Sequence, residues 1–110
     1  MDSFAGIVAN IVWSGLGPPE YPTFPLTSGL TGAAIANRKM INVGDVSADP
    51  RYLTALGTTR SEIIVPIVDQ SGENVIGTID VESAELNAFG RDAETLLEAC
   101  SEVLQPLWQR

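Results

Sequence analysis

Two carboxylates, Asp80 and Glu82, stand two residues apart in a stretch, 75–83, that otherwise has the composition of a buried β-strand. Side chains at positions i and i+2 of a strand point to the same face, so these two negative charges lie side by side and repel each other. An unpaired buried carboxylate is unfavourable unless its pKa shifts or a positive group lies nearby. The pair therefore indicates a polar sheet face. The negative charge of the pair is stabilised by solvent, by an ion pair with Arg60 or Arg51, or by a ligand that carries a positive group.

The carboxylates belong to the second strand of a predicted β-hairpin. The first strand, 62–68, is almost continuously apolar and β-branched, which is typical of a central strand covered on both faces. A polar turn at 70–73 contains a glycine, where a positive φ is easily adopted, and the second strand follows it. The hairpin is the element around which we expect the chain to be organised.

The pairing register of this hairpin decides whether Glu62 joins the other two carboxylates. A simple four-residue turn sets Asp69 opposite Asn74 and places Glu62 opposite Val81, on the other face of the sheet. A one-residue bulge reverses this and brings all three carboxylates to one face. The sequence leaves both registers open.

The composition predicts a single soluble domain over residues 1–110, with 45% hydrophobic residues and a net charge of −8. Fourteen acidic residues against six basic ones leave no basic stripe, so nucleic acids and anionic membranes are poor partners. The longest apolar runs are far shorter than the roughly 20 residues that a bilayer-spanning helix requires.

Histidine is absent and Cys100 is the single cysteine. Without histidine the chain lacks the usual general base and the partner of most serine or cysteine nucleophiles, which excludes a hydrolytic triad. One cysteine forms neither an intrachain disulfide nor a cysteine metal site, and we expect no metal and no cofactor. A lone thiol fits a reducing cytoplasm, and the first residues lack the pattern of a signal peptide.

The N-terminal quarter of the chain gives weak signals. Residues 4–13 are apolar and allow a strand or a short helix, and the abrupt glycine and proline stop that follows favours a strand. Residues 15–25 contain four of the seven prolines and are predicted to be a loop without regular structure.

The middle of the chain predicts a short helix, a short strand and a helical turn. The helix covers 30–36, preceded by hydroxyl residues suited to an N-cap, and the strand covers 40–43. Asp49 and Pro50 are predicted to cap and open a helical turn that continues through residue 56.

The C-terminal segment predicts an amphipathic helix that begins near residues 90–92. Its apolar residues recur at helical spacing from Leu96 to Trp108, and Asp92 in the first turn favours the helix dipole. Pro106 is expected to bend or fray the last turn. Because Cys100 falls on the apolar stripe, we expect a buried, inert thiol.

In this order the elements resemble those of a GAF domain, the small-molecule-binding sensory fold. The resemblance covers the chain from about residue 27 onward and implies an α/β (α+β) fold, with helices packed on a central antiparallel sheet. Family members begin with a further helix that packs beside the last one, so the chain looks N-terminally short. The segments that carry the resemblance are LTGAA at 30–34, NVGDV at 42–46, DPRY at 49–52, RSEIIVPI at 60–67, VIGTID at 75–80 and NAF at 87–89.

Within the family the chain looks most similar to the free methionine-(R)-sulfoxide reductases. The resemblance implies that Glu62, Asp80 and Glu82 hold an amino-acid ligand. It also places Thr31 and Ala55 where those enzymes have their two catalytic cysteines. Sulfoxide reduction needs a thiolate to attack sulfur and a second thiol to resolve the product, so we expect no catalysis of this kind.

These inferences predict a ligand-binding, sensory domain that is regulatory in signal transduction. The expected ligand is an amine or an amino-acid-like molecule, and the predicted ligand-binding residues are Glu62, Asp80, Glu82, Tyr52 and Thr31. We also expect a homodimer, because without the family's first helix the apolar stripe of the last helix is only half covered. Two alternatives remain: an interaction module with a vestigial pocket, and a reductase with an unrecognised nucleophile.

Overall fold

A computed structural model describes residues 7–9, 23–25, 29–52 and 58–108. These residues form five strands, two α-helices and two short 3₁₀ segments. The strands are β1 (Ile7–Ala9), β2 (Thr23–Pro25), β3 (Ile41–Val43), β4 (Ser61–Val68) and β5 (Val75–Ser83), and the helices are α1 (Gly29–Asn37) and α2 (Arg91–Leu104). The 3₁₀ segments are Val46–Ala48 and Gln105–Trp108.

The main sheet has the order β3-β4-β5, and both pairings are antiparallel. Strand β4 lies in the middle and is buried from Ser61 to Ile67, as its continuous apolar sequence predicts. Helices pack on this sheet, so the predicted α/β (α+β) class with a central antiparallel sheet is confirmed.

A separate two-stranded ribbon corrects one prediction. Residues 15–25 were expected to lack regular structure, but Thr23–Pro25 pairs antiparallel with Ile7–Ala9. Pro25 occupies the end of a strand in a two-stranded ribbon, a position where a missing backbone donor is tolerated. The strand favoured for residues 4–13 is confirmed at Ile7–Ala9, and the rest of both segments lies outside the described residues.

The hairpin contains the one-residue bulge that the sequence left open. The Asp69 N–H donates to the Asn74 carbonyl at 2.9 Å, as a simple turn requires. The ladder then shifts: Val68 pairs with Val75, but Ile67 pairs with Gly77, so Ile76 is the extra residue. Beyond the bulge every pairing is one residue further along β5 than the simple turn would give.

Helix α1 covers one face of the sheet. Leu30 and Ala34 of α1 form a buried cluster with Val46 and with Ile64 of β4. The predicted helix at 30–36 is confirmed, extended by one residue at each end. It ends where Arg38 adopts a left-handed φ of 53°. The hydroxyl residues predicted to cap its start lie outside the described residues.

Helix α2 packs on the opposite face, against β4 and β5. Asn42 shares that face with Ile63, and its amide donates to the Glu94 carboxylate of α2 at 2.9 Å. After Leu104 the chain continues as a 3₁₀ segment that contains Pro106, as expected for a proline near a helix end. There the Gln105 amide donates to the Val68 carbonyl at 2.7 Å, which fixes the helix end to β4.

The apolar residues of α2 and of the 3₁₀ segment that follows it form two stripes with different surroundings. An inner stripe is half-buried toward the sheet and consists of Ala93, Leu97, Cys100 and Leu104. An outer stripe is exposed: Leu96 by 64%, Val103 by 75% and Leu107 by 56%. The expectation of a buried Cys100 is therefore wrong in degree, because the helix touches the sheet along one side only.

The segment between β3 and β4 begins with a short 3₁₀ segment, Val46–Ala48, that sequence inspection missed. The Asp45 carboxylate caps it by accepting from the Ser47 N–H at 3.1 Å. Asp49 caps the next turn as predicted, since its carboxylate accepts from the Arg51 N–H at 2.9 Å. The predicted continuation through residue 56 falls on residues 53–57, outside the described part of the chain.

Among the helices that the structure describes, none is both long and apolar enough to cross a membrane.

Candidate functional site

The bulge at Ile76 brings three carboxyl groups together on the α1 side of the sheet. Glu62 of β4 pairs directly with Glu82 of β5, and Asp80 pairs with Ile64, two residues further along β4. Carboxyl oxygens of Glu62, Asp80 and Glu82 all lie within 4.8 Å of one another. We call these three residues the carboxylate cluster, and their convergence selects one of the two registers that the sequence allowed.

Glu62 is the innermost member of the cluster, with only 5% of its surface exposed. Burial, a hydrogen bond with Asp80 and the charges of Asp80 and Glu82 raise the pKa of Glu62 to about 11. Each of these effects disfavours the charged form of the acid. Glu62 is therefore protonated at neutral pH and donates its O–H to the Asp80 carboxylate.

Asp80 accepts this hydrogen bond at a more open position. Its residue surface is exposed, although neighbouring protein atoms surround the carboxyl group closely. This crowding raises the pKa of Asp80, and the hydrogen bond from Glu62 opposes that rise. Asp80 thus lies at the accessible side of the cluster.

Glu82 is half-buried and is held by two hydroxyl groups. Its carboxylate accepts from the Thr59 hydroxyl at 3.0 Å and from the Tyr52 hydroxyl at 3.4 Å. Burial and the charge of Asp80 raise the pKa of Glu82, and both hydrogen bonds oppose the rise by stabilising the anion. Tyr52, which sequence inspection selected, therefore does lie beside the cluster.

Thr31, the fifth predicted ligand-binding residue, lies in α1 with 6% of its surface exposed. It stands in the buried side of the helix between Leu30 and Gly32. No side-chain hydrogen bond among the described residues joins Thr31 to the carboxylate cluster. Its role in ligand binding stays a prediction, and Ala55 lies outside the described residues.

Neither arginine proposed as an ion-pair partner reaches the carboxylates within the described part of the chain. Arg51 pairs with Asp49 at 2.7 Å, which is the single salt bridge among those residues. Arg60 is exposed, and its main chain bonds to the Ser83 carbonyl and to the Val46 N–H. The cluster's negative charge therefore has no described cationic partner.

Two hydroxyl residues near the cluster were missed by sequence inspection. The Thr59 hydroxyl donates a hydrogen bond to the Glu82 carboxylate. The Ser61 hydroxyl donates to the Glu85 carbonyl at 2.6 Å and so holds the loop after β5 against β4. Thr59 also lines a surface depression of about 240 Å³ beside Val46 and Leu86. Their position just before Glu62 was the only sequence feature that pointed to a role at the site. That role could be recognised only when the β4–β5 register was known.

The chemistry of the cluster favours a polyatomic cation over a metal ion. Carboxylate oxygens are suitable ligands for Ca²⁺ or Mg²⁺, which bind six or more oxygens. Here three carboxyl groups converge among the described residues, and each offers one ligand oxygen, at most half the number that such an ion binds. An ammonium group instead brings three N–H donors, one for each carboxyl group.

Comparisons with known proteins agree with this fold. The family model described as GAF domain matches residues 5–104. The chain belongs to the GAF domain family. YtsP of Bacillus subtilis is 30% identical over 89 residues, which are 81% of this chain and 53% of that protein. The chain spans about half the length of the curated relatives it matches.

Solved structures similar to this chain include free methionine-R-sulfoxide reductases. That of Neisseria meningitidis, determined in complex with its substrate, has a TM-score of 0.85 and 28% identity, over 99% of this chain and 63% of that one. The type II enzyme of Thermoplasma acidophilum has a TM-score of 0.79 and 31% identity, over 86% of this chain and 64% of that one. The expected similarity to these reductases is thus confirmed.

Proposed function

We propose that this GAF domain binds a small molecule with an ammonium group, of the amino-acid class, and has no catalytic activity of its own. The observation that carries the proposal is the convergence of three carboxyl groups within 4.8 Å without a cationic partner among the described residues. A compact cation bound there relieves the mutual repulsion of the acids.

Each member of the site has a distinct part in the proposal. Asp80 offers its carboxylate from the accessible side, and Glu82 offers a second one whose position is fixed by Thr59 and Tyr52. Glu62 supplies the third oxygen ligand at the buried end. Thr31 remains in the proposed site as a wall residue contributed by α1.

Two kinds of relative support this ligand class. GAF domains commonly bind small molecules and serve regulation, and this chain belongs to that family. The similar structure from Neisseria meningitidis is of an enzyme that acts on free methionine sulfoxide, an amino acid with an ammonium group. We propose that this chain uses the same ligand class as a signal, within a cytoplasmic signalling protein.

The absence of catalysis is part of the proposal. The chain has one cysteine, Cys100, which lies half-buried on α2, on the sheet face opposite the carboxylate cluster. Thr31 and Ala55 stand at the positions where the resemblance places catalytic thiols. Incubation with free methionine sulfoxide and a thiol reductant should leave the sulfoxide unchanged. Conversion to methionine above the reagent blank would contradict this part.

Isothermal titration with a matched pair of compounds tests the binding itself. L-Methionine carries the ammonium group, and 4-(methylthio)butanoate is the same molecule without it. We expect L-methionine to bind and the deaminated compound to bind at least tenfold more weakly, since each tenfold corresponds to about 1.4 kcal/mol. Propylammonium tests whether the ammonium group alone suffices. Equal affinities for the matched pair would contradict the proposal.

A second candidate function is dimerisation through α2. The outer stripe, Leu96, Val103 and Leu107, exposes large apolar side chains that a second copy of the chain would cover. Sedimentation of the chain with and without Leu96→Glu and Val103→Glu tests this. A dimer that both changes disrupt supports the candidate, and a monomeric parent or an unaffected dimer excludes it.

A further inference from the structure

The contact between Glu62 and Asp80 requires a proton. Both side chains are carboxyl groups whose oxygens lie within 4.8 Å of each other, and a hydrogen bond between them contributes to the raised pKa of Glu62. Ionised carboxylates only accept hydrogen bonds, so one of the two must be protonated. Glu62 is the more deeply buried partner, with 5% exposure, and the burial of charge is least favourable there.

Among the described residues, no positive group lies beside Glu62 that would release this proton. Strand β5 presents Asp80 and Glu82, both acidic, and neither β3 nor α1 contains a charged residue. The Tyr52 hydroxyl, in the turn after Asp49, donates a hydrogen bond to the Glu82 carboxylate. Among the described residues, Glu62 is thus a nine-tenths buried acid, directed into the site, whose sole hydrogen-bonding partner is another acid.

An ammonium group changes this balance. It carries three donors and no acceptor, so a carboxyl group that keeps its own O–H offers the ligand fewer acceptor positions than a carboxylate. A positive charge within a few ångströms of an acid also favours the ionised form of that acid. Both effects favour loss of the proton that Glu62 shares with Asp80.

We infer that the site exchanges a proton for its ligand: the ammonium group enters as the proton between Glu62 and Asp80 leaves. This inference rests on the proposed function. The O–H bond of Glu62 breaks, the proton passes to water or buffer, and the ligand's N–H groups donate to the carboxylates in its place. Binding therefore becomes tighter as pH rises, as long as the ligand's own amine stays protonated.

Titration calorimetry with propylammonium in buffers of different ionisation enthalpy measures this exchange. At pH 7.5 the observed heat should depend linearly on buffer enthalpy, with a slope that corresponds to release of about one proton per ligand. The affinity should rise by up to tenfold per pH unit between pH 6 and 8, about 1.4 kcal/mol per unit.

Two variants make the test specific. Glu62→Gln keeps a donor toward Asp80 but has no proton to release, so its binding heat should not depend on the buffer. Glu85→Gln removes an equal charge from an exposed position after β5 and should keep the parent's slope. Binding by the parent without buffer dependence would overturn the exchange while leaving the proposed function intact. Absence of any amine binding would overturn both.

Discussion

Glu62 lies directly opposite Glu82 in the β4–β5 ladder because one extra residue, Ile76, separates the turn from the rest of β5. Two opposed acids repel each other when both are ionised, and the buried Glu62 must hold a proton to avoid this, so the arrangement is unfavourable for folding alone. The bulge that creates it also aligns Asp80 with the other two acids. A local irregularity of one residue therefore builds the candidate site at the expense of stability.

Asp80→Asn should separate binding from stability. The change removes one negative charge and keeps the side chain's shape, so it should raise the melting temperature in ligand-free buffer and weaken L-methionine binding at least tenfold. Thermal unfolding and titration calorimetry measure the two effects. Glu85→Gln is the matched control and should change neither. A lower melting temperature for Asp80→Asn would instead show that Asp80 stabilises the fold.

Glu62→Gln should stabilise the chain at neutral pH by about 1 to 3 kcal/mol. The pKa of Glu62 is about 11 in the folded chain, against an ordinary value of 4.5. The folded state thus holds the proton more tightly than the unfolded state, and the parent loses stability as pH rises from about 4.5 toward 11. Glutamine has no such proton to lose.

The pH dependence of that difference is the informative quantity. Denaturant unfolding at several pH values should show the stability gain of Glu62→Gln shrinking to nearly zero by pH 4, where the acid is protonated in both states. Asp69, whose pKa is lowered to about 2 by hydrogen bonds from Ser71 and Asn74, has the opposite sign and loses its contribution only in stronger acid. A gain that is constant from pH 4 to 8 would contradict a raised pKa at Glu62.

The strongest parts of the sequence pattern predicted the fold, and the irregular parts did not. The continuous apolar run of β4 and the helical spacing of α2 predicted both elements to within a residue or two, because burial requires those patterns. The turn chemistry between Asp69 and Asn74 is the same with or without the bulge. The residue pattern therefore left the register open, and only the family resemblance grouped Glu62, Asp80 and Glu82 in one site.

The contacts and exposure of individual side chains were harder to predict than the helices and strands that carry them. The contact of Thr59 with Glu82 joins two residues that are 23 positions apart in the sequence, and nothing in the local sequence marks it. Pro25 favoured the prediction of a loop, but it lies at the end of a strand, where its missing N–H is tolerated. The apolar periodicity of α2 did not reveal that Leu97 turns toward the sheet while Leu96 is exposed.

The two stripes of α2 should respond differently to charge. Leu97→Glu places a carboxylate against the sheet and should destabilise the chain by about 2 kcal/mol, whereas Leu96→Glu should change its stability by less than about 0.5 kcal/mol. Denaturant unfolding of dilute chain measures both values. Equal losses at the two positions would mean that the outer stripe is covered in solution.

Gly44 should be intolerant of a side chain. A Cβ at this position would collide with the side chain of Asn87, whose N–H donates to the Gly44 carbonyl at 2.9 Å. Gly44→Ala should therefore lower the unfolding free energy by about 1 kcal/mol. Asn87 has a positive φ of 53°, so Asn87→Gly removes the obstructing atoms and suits that backbone. The double variant should recover the loss, and a loss that persists would contradict a collision with Asn87.

The central claim is that an ammonium group binds at the carboxylate cluster, and carbon-13 NMR of the side-chain carboxyl groups tests it most directly. During titration with propylammonium, the carboxyl signals of Glu62, Asp80 and Glu82 should shift together and saturate with one affinity, because the three oxygens contact one ligand. The signal of exposed Glu85 should stay in place. Saturable shifts of other carboxyl signals, with these three unchanged, would contradict the account. The absence of any shift at every ligand concentration would contradict it as well.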